Sequence, residues 1–261
     1  MDLQRIKPFR ICGNIYFVGT KPASSHLIVT EEGLIVLDSG YPQTLHHLVE
    51  SIWELGFDVR DIRIILHSHG HYDHLGATKA LLEIAPQAET YIGEADVEFA
   101  NGKLDLTWAR ELGYEYREAF EPDHALHDGE TIRLGSTEIL CLSTPGHTPG
   151  VMSYFFNVTE NGKSYRAGMH GGVGMNSMQR AFLDKYGLSL ECRQQFLAGL
   201  ERLKSEHVDV PLGNHVGMND TLGKAARIAP GAPNPFIAPG EWLSFLEQCR
   251  QKMLEVIAKD I

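Results

Sequence analysis

Residues 67–76 read His-Ser-His-Gly-His-Tyr-Asp-His-Leu-Gly, and within them His69, His71, Asp73 and His74 form the pattern His-x-His-x-Asp-His. Neutral imidazoles and a carboxylate are the ligands that zinc and similar divalent ions take. Packing four of them into six residues costs desolvation and charge repulsion unless a cation is shared among them. A bound zinc would act as a Lewis acid and lower the pKa of its water to about 7. The cluster follows an apolar run well inside the chain, unlike a terminal tag. Zinc needs three or four protein ligands, so this loop alone is insufficient. Two more histidines stand in rigid turns: His147 in Ser143-Thr-Pro-Gly-His-Thr-Pro-Gly150, and His215 in Leu212-Gly-Asn-His-Val-Gly217. Alone, each reads as an ordinary surface or hydrogen-bonded histidine; beside the first cluster, both read as further ligands.

The elements needed to hold these residues are visible around them. Residues 62–66 (Ile-Arg-Ile-Ile-Leu) are a β-branched run expected to form a buried strand, and residues 75–84 have apolar positions at helical spacing. The four potential ligands therefore lie on the turn from a strand's C-terminal end into a helix, where open α/β sheets bind ligands. His147 follows a strand expected at 138–142, and His215 follows a short one beginning near Val208. Further strands are expected at 14–19, 26–30, 34–37, 131–134 and 151–158, with helices at 45–55, 194–203 and 242–257. His46 and His47, adjacent on the first of these helices, should diverge onto a solvated face. The pattern by itself supports a layered α/β (α+β) fold.

The motifs taken together resemble those of the metallo-β-lactamase-fold hydrolases. Ser68–Gly76 matches the Ser/Thr-His-x-His-x-Asp-His-x-Gly motif, 144–150 the second landmark, His215 the last ligand turn, and Leu37-Asp38-Ser39-Gly40 the early Asp-x-Gly element. The resemblance runs from Gly13 to Phe236 and the final helix. It implies a four-layer αββα sandwich spanning residues 1–261 as one domain, and a hydrolase with two Zn2+ ions. His69, His71 and His147 would hold one zinc, and Asp73, His74 and His215 the other. Asp38 and Ser68 would support these ligands from behind. Many relatives carry a later Gly-Asp whose carboxylate bridges both metals; here the stretch is Ala167-Gly-Met-His-Gly-Gly172, with Met169 or a neighbour in that place. A thioether cannot bridge two zinc ions as a carboxylate does. The remaining set is similar to the true β-lactamase branch, as is the C-terminal Asn-Pro-Phe. The implied reaction is attack of a metal-bound hydroxide on a cyclic amide, with Asp73 the foremost catalytic residue. A lactonase, esterase or thioesterase on the same metals is the alternative, and a non-catalytic metal-binding protein the third.

The rest of the chain bounds this reading. With 261 residues, 43% hydrophobic, there is enough for a sizeable core, and no linker or repeat divides it. A net charge of −11 disfavours a nucleic-acid channel and leaves a small-molecule substrate. No stretch is long and apolar enough to span a membrane, and the polar opening Met1–Arg10 lacks a signal-peptide core. Four cysteines without Cys-x-x-Cys spacing point to reduced thiols and a cytoplasmic enzyme. The substrate pocket is expected along the Gly- and Met-rich 168–178, an adaptable loop offering Asn176 and Ser177 as hydrogen-bonding groups and His170 as a pocket residue or extra ligand. A second wall is expected at 101–120. There Leu104 and Leu106 would form a flap edge, while the spacing of Trp108, Tyr114 and Tyr116 favours a helix core over a substrate platform. Tyr72, inside the motif, could face the cavity or pack.

Overall fold

Short β-branched runs in the first half of the chain assemble into a seven-stranded sheet whose spatial order follows chain order. Its strands are β1 (Phe9–Cys12), β2 (Ile15–Phe17), β3 (His26–Thr30), β4 (Gly33–Leu37), β5 (Ile62–Leu66), β6 (Glu89–Gly93) and β7 (His124–Leu126). These come from a computed structural model that describes residues 4–260, so the first three residues of the polar opening lie outside the described residues. The first four strands are antiparallel hairpins; β4 through β7 run parallel. That switch explains the composition of β5, buried on both faces of the sheet and therefore almost continuously apolar. A second sheet takes the order β12-β11-β10-β9-β8 from β8 (Thr131–Leu134), β9 (Thr137–Ser143), β10 (Met152–Glu160), β11 (Lys163–Met169) and β12 (Val210–Leu212).

The two sheets bury a shared core that includes Phe17, Ile28, Ile35, Tyr154, Phe156 and Phe236. The outer face of the first sheet is covered by α1 (Leu45–Glu54) and by α3 (Thr78–Ile84), which follows the single turn α2 (Tyr72–Leu75). A second short turn, α4 (Val97–Ala100), follows β6. The outer face of the second sheet is covered by α6 (Glu191–Leu203) and α8 (Glu241–Lys259), preceded respectively by the shorter α5 (Arg180–Tyr186) and α7 (Thr221–Ala226). The order helix, sheet, sheet, helix is the αββα sandwich.

The strands β3, β4, β5, β8, β9 and β10 fall where the sequence places them, give or take two residues. The strand expected at 14–19 shortens to β2. The helix expected at 75–84 is broken: Gly76 and Ala77 separate α2 from α3, and position 76 is confined to glycine because a Cβ there would meet the Tyr72 carbonyl at 2.4 Å and Pro42 at 2.5 Å. His46 and His47 do not diverge; their rings lie 3.9 Å apart, and His47 is half-buried beside Glu50 rather than solvated. No helix among the described residues is long and apolar enough to cross a membrane. All four cysteines are free, and Cys12, Cys141 and Cys249 are buried.

Candidate metal centre

Asp38 follows β4, His69 follows β5, Asp96 follows β6, His170 follows β11 and His215 follows β12. The parallel strands therefore deliver these side chains to one edge of the sandwich, and His147 joins them from the turn between β9 and β10. Ligand atoms of His69, His71 and His147 lie within 4.8 Å of one another, and so do those of His69, Asp73 and His74. His69 thus belongs to both groups. His215 completes the ring from outside: its Nε2 is 3.6 Å from Asp73 Oδ2, and its ring centroid is 5.1 Å from that of His74.

Each histidine but His71 has its Nδ1 held by a partner behind it. His69 Nδ1 meets the Gly171 carbonyl at 2.8 Å, His147 Nδ1 the Gly174 carbonyl at 2.7 Å, and His215 Nδ1 the Pro22 carbonyl at 2.5 Å. His74 Nδ1 lies 2.8 Å from Asp38 Oδ2. A carbonyl or carboxylate at Nδ1 sets the tautomer with the proton there and leaves the Nε2 lone pair free, as in histidine–metal centres. His69 Nε2 is buried with no hydrogen-bond partner, and the buried His74 Nε2 has only the Asp73 carboxylate beside it, at 3.3 Å. Orphaned buried nitrogens of this kind carry a desolvation cost that a metal ligand bond removes. Three neutral imidazoles on one side and Asp73, His74 and His215 on the other are a donor set suited to zinc, so the residues present fit the group the fold implies.

Asp38 is the keystone beneath this loop. Its carboxylate accepts from the Ser68 amide and hydroxyl, both at 2.7 Å, as well as from His74. Its backbone is held in the left-handed region at φ 63°, a conformation that surrounding structure must enforce. Burial and neighbouring histidines hold His69 and His71 well below the ordinary imidazole range, and burial pushes His147 down to about 4. His74 moves the other way: burial opposes its charge, but Asp73 and Asp38 on either side outweigh burial and push it up to about 10. Burial also opposes charge on Asp73, yet the surrounding imidazoles hold its carboxyl far below the usual range. This side of the cluster attracts positive charge, whether as a proton on His74 or as a cation against its Nε2.

One residue the sequence reading missed is Asp96, at the end of the short turn after β6. Its fully buried carboxylate accepts from the Gly70 amide at 2.7 Å, the Thr148 hydroxyl at 2.5 Å and the Gly150 amide at 2.7 Å. It therefore bolts the loop carrying His69 and His71 to the turn carrying His147. Burial outweighs those hydrogen bonds and pushes its pKa up to about 6. Gly150 has no side chain because a Cβ there would meet the Asp96 carboxyl at 2.6 Å. Asp96→Asn keeps the volume but turns an amide NH2 against donors. We expect it to destabilise the fold by about 1–3 kcal/mol and to weaken zinc binding by roughly 10–100-fold. Denaturant unfolding and chelator competition measure the two effects; unchanged zinc affinity would remove Asp96 from this role.

The other expected site residues are placed as follows. Ser68 Oγ lies between Asp38 and His69 Nδ1. Ser177 is buried, and its hydroxyl donates to the His147 carbonyl. Asn176 is half-buried on the single turn with Ser177, away from the cavity described below. His170 is buried against Phe196 and lies outside both ligand groups, although its Nε2 also has no hydrogen-bond partner. Met169 packs into the core between the sheets. Residues 168–174 are not an adaptable loop. Gly172 and Gly174 cradle His147, and a Cβ at either would approach its ring within 2.8 Å. Tyr72 packs among Tyr41, Tyr114 and Tyr116. Trp108 is not in a helix core: at φ 68° it presents its ring to His71 at 5.9 Å and to Phe182 at 4.5 Å.

A cavity of about 320 Å³ opens beside His71 and His147. Fold and site together define an αββα protein with a histidine-rich metal centre at one edge. A family model described as the metallo-beta-lactamase superfamily matches residues 18–159. That is more than half of the chain, and the chain belongs to this superfamily. Among solved structures, the native FEZ-1 metallo-beta-lactamase from Legionella gormanii is 30% identical with a TM-score of 0.90, covering 99% of this chain and 98% of that one. BJP-1, a subclass B3 metallo-beta-lactamase of Bradyrhizobium japonicum, is 28% identical with a TM-score of 0.85, covering 99% and 96%. The uncharacterized protein YobT of Bacillus subtilis is 30% identical over 144 residues, 53% of this chain and 59% of that protein. The chain spans about half the length of the curated relatives it matches.

Proposed function

We propose that this chain, as one catalytic domain, is a zinc-dependent hydrolase that holds two zinc ions and opens a cyclic amide, in the manner of a β-lactamase. The observation that carries the reading is the buried ring of imidazoles around Asp73, most with Nδ1 held from behind and Nε2 left for a ligand bond. His69, His71 and His147 would hold one zinc, and Asp73, His74 and His215 the other. Zinc bound there supplies a Lewis acid for a carbonyl oxygen and a water of lowered pKa.

The chain's own residues do the rest. Asp73 Oδ2, flanked by His74 Nε2 at 3.3 Å and His215 Nε2 at 3.6 Å, points into the ring and accepts a hydrogen bond from attacking water. Its depressed pKa makes it a weak base, so it orients that water rather than keeping its proton. Asp38 keeps the proton of His74 on Nδ1. Trp108 shields one side of the His71 ring, and the cavity beside it is walled largely by apolar side chains. An ester or lactone presents the same planar carbonyl, and the same ring would serve it. Free, buried thiols suit a reducing compartment such as the cytoplasm.

The test pairs metal content with turnover. Elemental analysis is expected to find about two zinc equivalents per chain, since the six ligands divide into two sets of three. A chromogenic cephalosporin, a lactone and a glutathione thioester are then compared side by side, and the cephalosporin is expected to be turned over fastest. Protein that takes up no transition metal after reconstitution would overturn the reading.

The same burial predicts acid sensitivity. Burial pushes His26 and His147 down to about 4 and His170 down to about 3, against an ordinary imidazole value of 6.5. Between those values the unfolded chain binds more protons than the folded one, so stability is full above about pH 6.5 and falls as pH drops toward 4. Each such histidine contributes a slope of roughly 1 kcal/mol per pH unit. Asp96, pushed up to about 6, offsets one of the three between pH 4 and 6. The raised His74 acts only above pH 6.5. Denaturant midpoints measured from pH 7 to 4 check this, and a flat profile would contradict it.

A further inference from the structure

His71 is the one candidate ligand histidine with no hydrogen bond behind it; among the described residues neither of its ring nitrogens has a hydrogen-bond partner. What surrounds its ring is aromatic. The His69 and His147 rings stand edge-on at 4.8 and 4.5 Å, and the Trp108 indole lies at 5.9 Å, tilted by 46°. Of these three, only Trp108 is not itself a candidate ligand. It holds that place at φ 68°, a backbone conformation that suits glycine and that a bulky side chain disfavours. Residues strained in this way persist only where the surroundings over-determine them, and they cluster at functional sites. Here both flanks of Trp108 are pinned to the turn that carries His71. The Thr107 carbonyl accepts from the Tyr72 amide at 2.7 Å, and the buried Ala109 packs with Tyr41 and Tyr72. Phe182 on α5 backs the indole at 4.5 Å. Trp108 does not line the cavity beside His71, so a cavity wall does not account for its strained backbone.

We propose that Trp108 is the positioning residue of His71: its indole, propped by Phe182, holds the imidazole by ring packing, where the other ligand histidines are held by a partner at Nδ1. The proposal rests on the zinc reading of the centre and is independent of the substrate. An imidazole with no hydrogen-bonded partner turns about its side-chain bonds, so a ligand bond to it must also order the side chain. An aromatic neighbour orders it beforehand, because tilted and offset ring contacts at roughly 4.5–7 Å are favourable. The indole thus takes the part that a carbonyl or carboxylate plays behind His69, His74, His147 and His215. Packing fixes the plane of the ring but not its tautomer. His71 alone therefore keeps both nitrogens open until a ligand bond selects one.

The experiment compares Trp108→Phe, Trp108→Ala and Trp108→Gly in the full chain, with zinc affinity read by chelator competition and stability by denaturant midpoint. Trp108→Phe keeps a flat ring against His71 and should weaken zinc binding by less than about threefold, whereas Trp108→Ala should weaken it by about tenfold to a hundredfold, the range for outer-shell partners. Trp108→Gly separates positioning from stability. Glycine relieves the strain at φ 68°, so this variant should unfold at higher denaturant than Trp108→Ala. It has no ring, so it should bind zinc as weakly as Trp108→Ala does. Zinc affinity that follows the denaturant midpoint across the three variants, or that is unchanged in Trp108→Ala, would overturn the proposal. A second readout needs neither turnover nor metal. In zinc-free wild type, NMR of the His71 ring should show one orientation in nuclear Overhauser contact with the indole, and Trp108→Ala should broaden or double those signals. A His71 ring already exchanging between orientations in the wild type overturns the proposal, even where the Ala and Gly variants do not fold. If the protein takes up no zinc, the metal reading falls, and the NMR comparison still decides whether Trp108 holds His71.

Discussion

His69→Ala is expected to strip zinc from both halves of the centre and to lower kcat/KM by more than about a hundredfold, the upper end of the loss seen for outer-shell partners alone. The reason is its position. His69 is common to both ligand groups, and its ring lies 4.2 Å from that of His74 and 4.7 Å from that of His147. Ligand count alone, with His69 in the first of the two proposed sets, would leave the second ion in place; its position within 4.8 Å of Asp73 and His74 as well argues that both are lost. Elemental analysis and chelator titration of the variant separate the cases. Retention of one tightly bound zinc would show that the two groups act independently after all. His215→Ala should do less, because this half-buried histidine touches the cluster only through Asp73 and His74.

Asp73→Asn should lower kcat by about a thousandfold, within the usual range for a positioned acid–base or orienting group, while KM changes little. The amide retains the shape but loses the charge that His74, His215 and His71 surround. A second readout distinguishes this from general damage. Asp73 is one of two carboxylates that raise His74, so the His74 imidazole, followed by NMR in metal-free protein, should titrate at lower pH in the variant. With the folded pKa raised above the unfolded one, the wild type gains stability below about pH 6.5 and loses that gain as pH rises toward 10; the variant should lose less over that window. An unshifted His74 together with full activity would remove Asp73 from its central role.

Several parts of this centre are legible in the chain because they depend on neighbours in sequence. The strand into 62–66 is written in its β-branched run, and the turn after it must carry His69, His71, Asp73 and His74 wherever the rest folds. The Pro-Gly brackets around His147 fix a turn by local backbone restriction alone. Asp38 is recognisable from its motif, and the structure hangs Ser68 and His74 on its carboxylate.

Other parts depend on which segments meet, and no local pattern carries that. Asp96 sits in an unremarkable Glu-Ala-Asp turn. Its importance arises only because β6 runs parallel beside β5, bringing it under Gly70 on one side and Thr148 and Gly150 on the other. Glycines at 171–174 read as flexibility in one dimension. In three they are close contacts, bare because His147, Met152 and the Ser68 backbone occupy the space a Cβ would need. Trp108 and Phe182 lie 74 positions apart in the chain, yet their rings pack 4.5 Å apart and join two segments beside the cavity that Phe182 lines. Thus the chain alone determines which groups are available to bind metal and the local turns that carry them. Tertiary packing decides which of those groups share an ion, what holds them from behind and what the cavity beside them admits, since each of these is a distance between residues far apart in sequence.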